Sequence, residues 1–259
     1  MKKQSVSGTH QWSTKTYNFQ TGCGYDCKIC YAKANSNRFN QTTVDGWKNE
    51  TVRPKDLTKR IPLHDDGLVM FPSSHDITIE HLSESITMIN NILKSGNSIL
   101  IVSKPNMQCI SKICETFAGF KDKILFRFTI GSTDSQILKF WEPNAPSFEE
   151  RFECLKLCHS QGFQTSVSCE PLIQRNVEDL VTTLSPYVTE TIWIGKPNLL
   201  LSRVRMNGQG DPITIQLCHE WLEWINDPKF IRELYSKFND NPMIRWKESF
   251  KKDFLKLKL

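Results

Sequence analysis

Along most of the chain, short apolar runs rich in β-branched and aromatic residues alternate with stretches whose apolar positions recur every three or four residues. The first kind predicts strands at Thr16 to Gln20 (TYNFQ), Gly67 to Phe71 (GLVMF), Ser98 to Ser103 (SILIVS), Ile124 to Ile130 (ILFRFTI), Phe163 to Cys169 (FQTSVSC) and Thr191 to Gly195 (TIWIG). The second kind predicts helices between them. Glu80 to Ser95 carries Leu82, Ile86, Ile89 and Leu93 on one face and stops at Gly96. SFEERFECLKLCHSQG opens with Ser147 and Glu150 as a capping box and closes at Gly162. This alternation indicates an α/β protein of parallel β/α units with right-handed crossovers. Six units can close as a partial barrel or lie open as a doubly wound sheet, and periodicity does not choose between them.

After about Pro212 the pattern becomes helix only: TIQLCHEWLEWIN, DPKFIRELYSKF and NPMIRWKESFKKDFLKLKL are amphipathic. The last places Trp246, Phe250, Phe254 and Leu257 along one face, with lysines opposite that read as a solvated surface. The expectation is a body over residues 1–211 and a helical C-terminal extension over residues 212–259 packed on it.

The chain has 259 residues, enough for one large domain with a full core or two small ones; 39% hydrophobic and 24% charged residues are globular proportions. It has no run of about 18 apolar residues. The start, MKKQSVSGTHQWSTK, has basic residues with no apolar region after them. These features predict a soluble protein without a signal peptide and with no membrane partner. Nine cysteines, an odd number, in a chain too large to need disulfide staples, predict free thiols in a reducing cytoplasm. A tight cysteine group then becomes a metal-site candidate. The net charge of +5 is a mild bias towards polyanions, and there is no recognisable nucleic-acid-binding module.

That group is in TGCGYDCKICYAKA, the loop at residues 21–34, where Cys23, Cys27 and Cys30 follow a C-x3-C-x2-C spacing. A short loop can bring three thiolates round one centre, and Gly22 and Gly24 let the backbone come close. Three readings are open from the residues alone. A structural zinc site closes with a fourth ligand, for which His10 or His64 is available in a binding module. A simple iron-sulfur electron carrier normally caps every iron with protein. An iron-sulfur cluster on three cysteines leaves one iron to a small molecule. No second C-x2-C occurs, so an auxiliary cluster is not expected.

A C-x3-C-x2-C loop after the first strand of a β/α protein resembles the signature of the radical S-adenosylmethionine superfamily. YNFQTGCGYDCKICYA, together with the block from Glu142 to Ile173 (EPNAPSFEERFECLKLCHSQGFQTSVSCEPLI), is similar to the spore photoproduct lyase-like branch; the resemblance spans roughly Tyr17 to Lys196. It implies a partial (β/α)6 barrel and a [4Fe-4S] cluster on Cys23, Cys27 and Cys30, with S-adenosylmethionine on the fourth iron. It also implies reductive cleavage to a 5′-deoxyadenosyl radical that abstracts hydrogen, an external one-electron reductant of flavodoxin or ferredoxin type, and a nucleic acid or nucleotide substrate. A peptide or small molecule is the alternative substrate.

Two departures from the family pattern assign further residues. Ile29 stands before the last cysteine where an aromatic is usual, so the adenine contact falls to Ile29 itself, Tyr25 or Tyr31. FPSSHD (71–76) stands in place of the glycine-glycine-glutamate stretch, with Ser73, Ser74 or Asp76 taking over the methionine amino group, which also accounts for His75 beside Asp76.

Strand alternation puts Arg127 and Thr129 opposite Phe126, Phe128 and Ile130, and puts Ser166, Ser168 and Glu170 together. A polar face inside a barrel suits cofactor and substrate; the plain alternative is that Arg127 neutralises an acid such as Glu170. Glu170 stands at the strand end that carries sites in parallel folds, where it would meet ribose hydroxyls or substrate. Lys104 and Lys196 end their strands before prolines and could meet the cofactor carboxylate or an anionic substrate, or simply be solvated. Cys154 and Cys158, with His159, share a helix face with Phe148, Phe152 and Leu155 and read as packing, as do Cys109, Cys114 and Cys218. The spore lyase takes its hydrogen donor from a cysteine shortly after the cluster loop; no cysteine occurs between Cys30 and Cys109, so Cys169 also reads as packing.

Overall fold

The β-branched runs build one parallel sheet. The structure, a computed structural model, describes residues 8–64 and 67–259, so the first seven residues of the basic start lie outside the described residues. In chain order the elements are β1 (Lys15–Thr16), β2 (Gln20–Thr21), α1 (Tyr31–Arg38), β3 (Thr51–Val52), α2 (Pro54–Thr58), β4 (Val69–Phe71) and α3 (Leu82–Lys94). There follow β5 (Ile99–Ser103), α4 (Met107–Thr116), β6 (Ile124–Thr129), α5 (Ser135–Trp141), α6 (Phe148–Ser160), β7 (Gln164–Cys169) and α7 (Val177–Leu184). The chain ends with β8 (Ile192–Ile194), α8 (Leu200–Met206), α9 (Pro212–Ile225), α10 (Pro228–Phe238), β9 (Ile244–Trp246) and α11 (Glu248–Leu257). The seven-stranded sheet runs β1-β4-β5-β6-β7-β8-β9, each neighbour pair parallel. The fold is therefore α/β, as the alternation indicates.

Two expectations are corrected. The run from Thr16 to Gln20 is not one strand: β1 joins the sheet beside β4, while β2 turns away to pair antiparallel with β3. The tail is not helix only, because β9 lies in it and pairs parallel with β8. Three residues are too few for a period of two to stand out from a period of 3.6, and the aromatic stripe survives either way: the Trp246 ring packs 5.7 Å from Phe250 and 5.1 Å from Phe254.

Alternation divides the sheet into an apolar and a mixed face. Val69, Phe71, Ile99, Ile101, Phe126 and Phe128 join the large core under the helices, while Met70, Leu100 and Leu125 form a separate cluster with Trp12 and Val102. Towards β7 that second face becomes polar, with Arg127, Ser166 and Ser168 buried on it. Helix ends follow local chemistry. The Ser147 hydroxyl accepts from the Glu150 amide at 3.3 Å, and Gly162 ends α6 at φ +80°, where a side chain would be strained. Among the described residues no helix is long and apolar enough to cross a membrane.

Candidate active site

The cysteine loop is shaped by one glycine and clamped by three distant segments. Gly22 has φ +88°, and a Cβ there would stand 2.6 Å from the Trp47 carbonyl oxygen and 2.7 Å from that of Asn49, so the approach needs glycine. The Cys23 amide donates to Trp47 O at 2.9 Å, and the Lys28 amide donates to Trp141 O at 2.9 Å, at the end of α5. The buried Asn207, just past α8, donates its amide to the carbonyls of Lys28 (2.9 Å) and Cys30 (3.0 Å). Cys30 is the N-cap of α1, its sulfur accepting from the Lys33 amide at 3.3 Å, and Lys33 is buried against Asp26 at 2.6 Å. The positive end of α1 therefore faces a cysteine sulfur.

Above the strand ends lies a cavity of about 500 Å³ that the three thiols of Cys23, Cys27 and Cys30 line. Tyr25, Ile29 and Tyr31 line it from the loop, and Ser73, Ser74 and Asp76 from the turn after β4. Lys104, Thr129, Ser168, Glu170 and Lys196 complete the wall from the ends of β5 to β8. Of the residues expected to meet a cofactor, Arg127 alone is not on this wall. It lies one step down β6, its Nε donating to Ser166 Oγ at 2.9 Å. The reading in which it neutralises Glu170 is corrected as well, since Glu170 is ion-paired with Lys247 at 3.1 Å.

Several of these groups are already engaged. Asp76 accepts from the Ile77 amide at 2.9 Å, from Ser103 Oγ, and from the Lys104 amide at 3.1 Å on its other oxygen. The Tyr31 hydroxyl donates to Ser73 O. The Lys196 ammonium turns towards the tail, pairing with Asp253 at 2.5 Å and Asn226 Oδ1 at 3.0 Å. Lys104 points 3.7 Å from Glu142, which also binds the fully buried Arg151 at 2.6 Å.

Burial sets the direction of most titrations here. It raises the thiols of Cys23, Cys27 and Cys30, with Lys104 opposing it at Cys27 and the Lys33 amide opposing it at Cys30. It raises the Asp76 and Glu170 carboxyls against the pull of Lys104 and Lys247, and lifts Tyr31 to about 12. Burial would lower Lys104, but the Cys27, Glu142 and Asp76 charges outweigh it and hold the ammonium charged. Among the described residues, four buried polar atoms of cavity-lining residues have neither a hydrogen-bond nor an ion-pair partner: Ser168 Oγ, Trp12 Nε1, Trp47 Nε1 and His75 Nε2. Each of these atoms can hydrogen-bond to a water or another molecule in the cavity.

No protein-family model matches the chain. An uncharacterized protein of Acidianus two-tailed virus is 24% identical over 191 residues, covering 69% of this chain and 63% of its own length. An uncharacterized protein of Methanocaldococcus jannaschii is 25% identical over 175 residues, covering 66% of this chain and 65% of its own. The chain thus spans under two thirds of the length of these curated relatives.

Of the two histidines that could close a zinc site, His10 lines the cavity with the cysteines. His64 instead lines a separate cavity of about 430 Å³ and bonds the Tyr17 hydroxyl at 3.0 Å. Among the described residues no group of three or more His, Cys, Asp or Glu is arranged to hold a single metal ion. Cys109, Cys114, Cys154, Cys158, Cys169 and Cys218 are buried free thiols in the main core, which is the packing reading.

Sequence reasoning missed Trp12, Trp47, Glu142 and Arg203 on the cavity wall, and Asn207 and Lys247 behind it. Glu142 carried a local signal, an acid directly after the end of a helix beside a buried tryptophan. The others come from segments far along the chain and have no local signature.

Proposed function

We propose that the chain is a radical S-adenosylmethionine enzyme of the spore photoproduct lyase-like branch. In this reading β1 and β4 to β8 make a partial (β/α)6 barrel, residues 212–259 extend it, and Cys23, Cys27 and Cys30 hold a [4Fe-4S] cluster. The observation that carries it is that one cavity, about 500 Å³, is lined by all three loop thiols and by the carboxyl ends of the parallel strands. The donor chemistry fits. A closed single-ion site asks for four donors about a point, whereas the loop supplies three thiols. In a four-iron cluster each thiolate takes a different iron and one iron stays open.

When bound, cluster and cofactor supply one-electron reductive cleavage of S-adenosylmethionine and, from it, hydrogen abstraction from a substrate. The protein binds, orients and excludes water. The second Asp76 oxygen suits an ammonium, the orphaned Ser168 hydroxyl and Glu170 suit ribose hydroxyls, and Tyr25 and Ile29 supply apolar surface for a base. The Lys104 ammonium beside Cys27 and the α1 N-terminus beside Cys30 pull towards the thiolate against burial, which raises both thiols. An external one-electron reductant of flavodoxin or ferredoxin type, a cytoplasmic location and a nucleic acid or nucleotide substrate belong to the same proposal; a net charge of +5 supports the last.

The test is anaerobic reconstitution with iron and sulfide, then dithionite and S-adenosylmethionine, with chromatography for 5′-deoxyadenosine. A brown protein that forms it, with formation abolished by Cys27→Ala, is the expected result. A colourless protein that loads zinc and forms none overturns the proposal.

A further inference from the structure

The mixed face of the sheet continues beneath the cavity. Thr129 and Ser168 line the cavity and are partners in register; one step down the same face, Arg127 is the partner of Ser166. Arg127 is 5% exposed, its Nη1 has no hydrogen-bond partner, and it makes no ion pair among the described residues. Glu170 is ion-paired with Lys247, and Glu190, the acid whose charge is felt at Arg127, makes no ion pair with it. Instead the guanidinium lies 5.1 Å from the Trp12 ring and 5.4 Å from the Trp193 ring. Lys247 stacks on the same Trp12 at 4.1 Å. Two buried cations thus face one indole, where a single carboxylate answers only one of them. A buried cation without an anionic partner is costly, and contact with ring faces offsets that cost only in part.

Trp12 is the partition. Its ring lines the cavity on one side and covers Arg127 on the other. It belongs to a short N-terminal segment that, among the described residues, is held by two polar contacts to the tail: Lys247 Nζ donates to Gly8 O at 3.0 Å, and Gln11 Nε2 to Glu248 Oε1 at 3.4 Å. The Trp193 ring packs 6.0 Å from Trp12, and among the described residues its buried Nε1 has no hydrogen-bond partner.

We infer that Arg127, with Trp193 Nε1, forms an oxyanion compartment beneath the cavity, closed by Trp12. The substrate carries a carboxylate or phosphate group that occupies it when Trp12 swings aside. A guanidinium fork matches either group in two-point fashion. The link to substrate rests on the function proposed above, whereas anion binding itself needs no cluster.

The test uses the metal-free full chain. Inorganic phosphate, and separately acetate, is titrated at constant ionic strength against sodium chloride while tryptophan emission and the thermal midpoint are read. At least one anion should give a saturable emission change in the wild type and bind about tenfold tighter to Trp12→Ala, which no longer has to open. Arg127→Met should abolish the response in both backgrounds. Arg127→Lys, which keeps the charge and loses the fork, should weaken binding with an unchanged circular dichroism spectrum, so that misfolding cannot imitate the result. The compartment is refuted if both anions leave Trp12→Ala unchanged, or if Arg127→Met responds like wild type. Saturable anion binding in a protein that forms no 5′-deoxyadenosine would instead sink the proposed function and leave the compartment standing.

Discussion

Two groups of buried thiols invite comparison. Cys23, Cys27 and Cys30 stand in a loop against a cavity, while Cys109, Cys114, Cys154 and Cys158 stand where α4 meets α6, with the sulfurs of Cys114 and Cys158 3.7 Å apart. Burial is the leading cause that raises Cys27 in the first group and Cys154 and Cys158 in the second, so burial does not distinguish them. What differs is the company. The loop thiols share their wall with Lys104, Asp76 and Glu142 and have the α1 N-terminus on Cys30, whereas the helix thiols are embedded in the main apolar core. A cysteine becomes a ligand candidate through open space in front of it and charge beside it, both of which tertiary packing supplies.

The comparison breaks most sharply on iron. Cys27→Ala should lose all reconstituted cluster, whereas Cys158→Ala should keep it and cost only about 1 kcal/mol in urea denaturation. Equal iron loading in the two variants would dissolve the distinction. Next in size is the charged wall. Glu142→Ala leaves Arg151, which is fully buried, without its 2.6 Å partner. It should destabilise the fold by about 3–5 kcal/mol; a loss under 1 kcal/mol would mean the wall tolerates an unpaired cation.

The smaller effect is a pH dependence on the cavity side. Burial lowers His75 to about 4, its ring packed 4.9 Å from Phe19 and 5.8 Å from Phe71. The unfolded chain takes up that proton first, near pH 6.5, so stability is intact above that pH and drains away as pH falls towards 4. Between pH 7 and pH 5 the wild type should lose about 2 kcal/mol more than His75→Phe, read from urea midpoints at each pH. Parallel curves for the two proteins would show that His75 is not held neutral.

Much of the site was legible because its residues announce themselves locally. The C-x3-C-x2-C spacing marks the loop, and strand ends followed by proline mark Lys104, Glu170 and Lys196; all of these line the cavity. Arg127 shows the limit of such reading. Alternation assigned it the right face of β6, but whether it reaches the cavity depends on what covers it, and the cover is Trp12, more than a hundred residues away in sequence. The broken first strand and β9 were missed for a related reason: two- and three-residue strands exist only through the neighbour they pair with.

By itself, then, the sequence determined the parallel α/β class, the order of the main strands and helices, the thiol loop, and the faces on which most polar site residues lie, because these depend on periodicity, caps and spacing within a few residues. Only the tertiary structure decided that Asn207 and Trp47 clamp the loop, that Glu170 pairs with Lys247 rather than Arg127, and that Lys196 turns to Asp253. Each of those outcomes is a competition among several partners of suitable charge or shape, and the winner is chosen by distance in the folded chain.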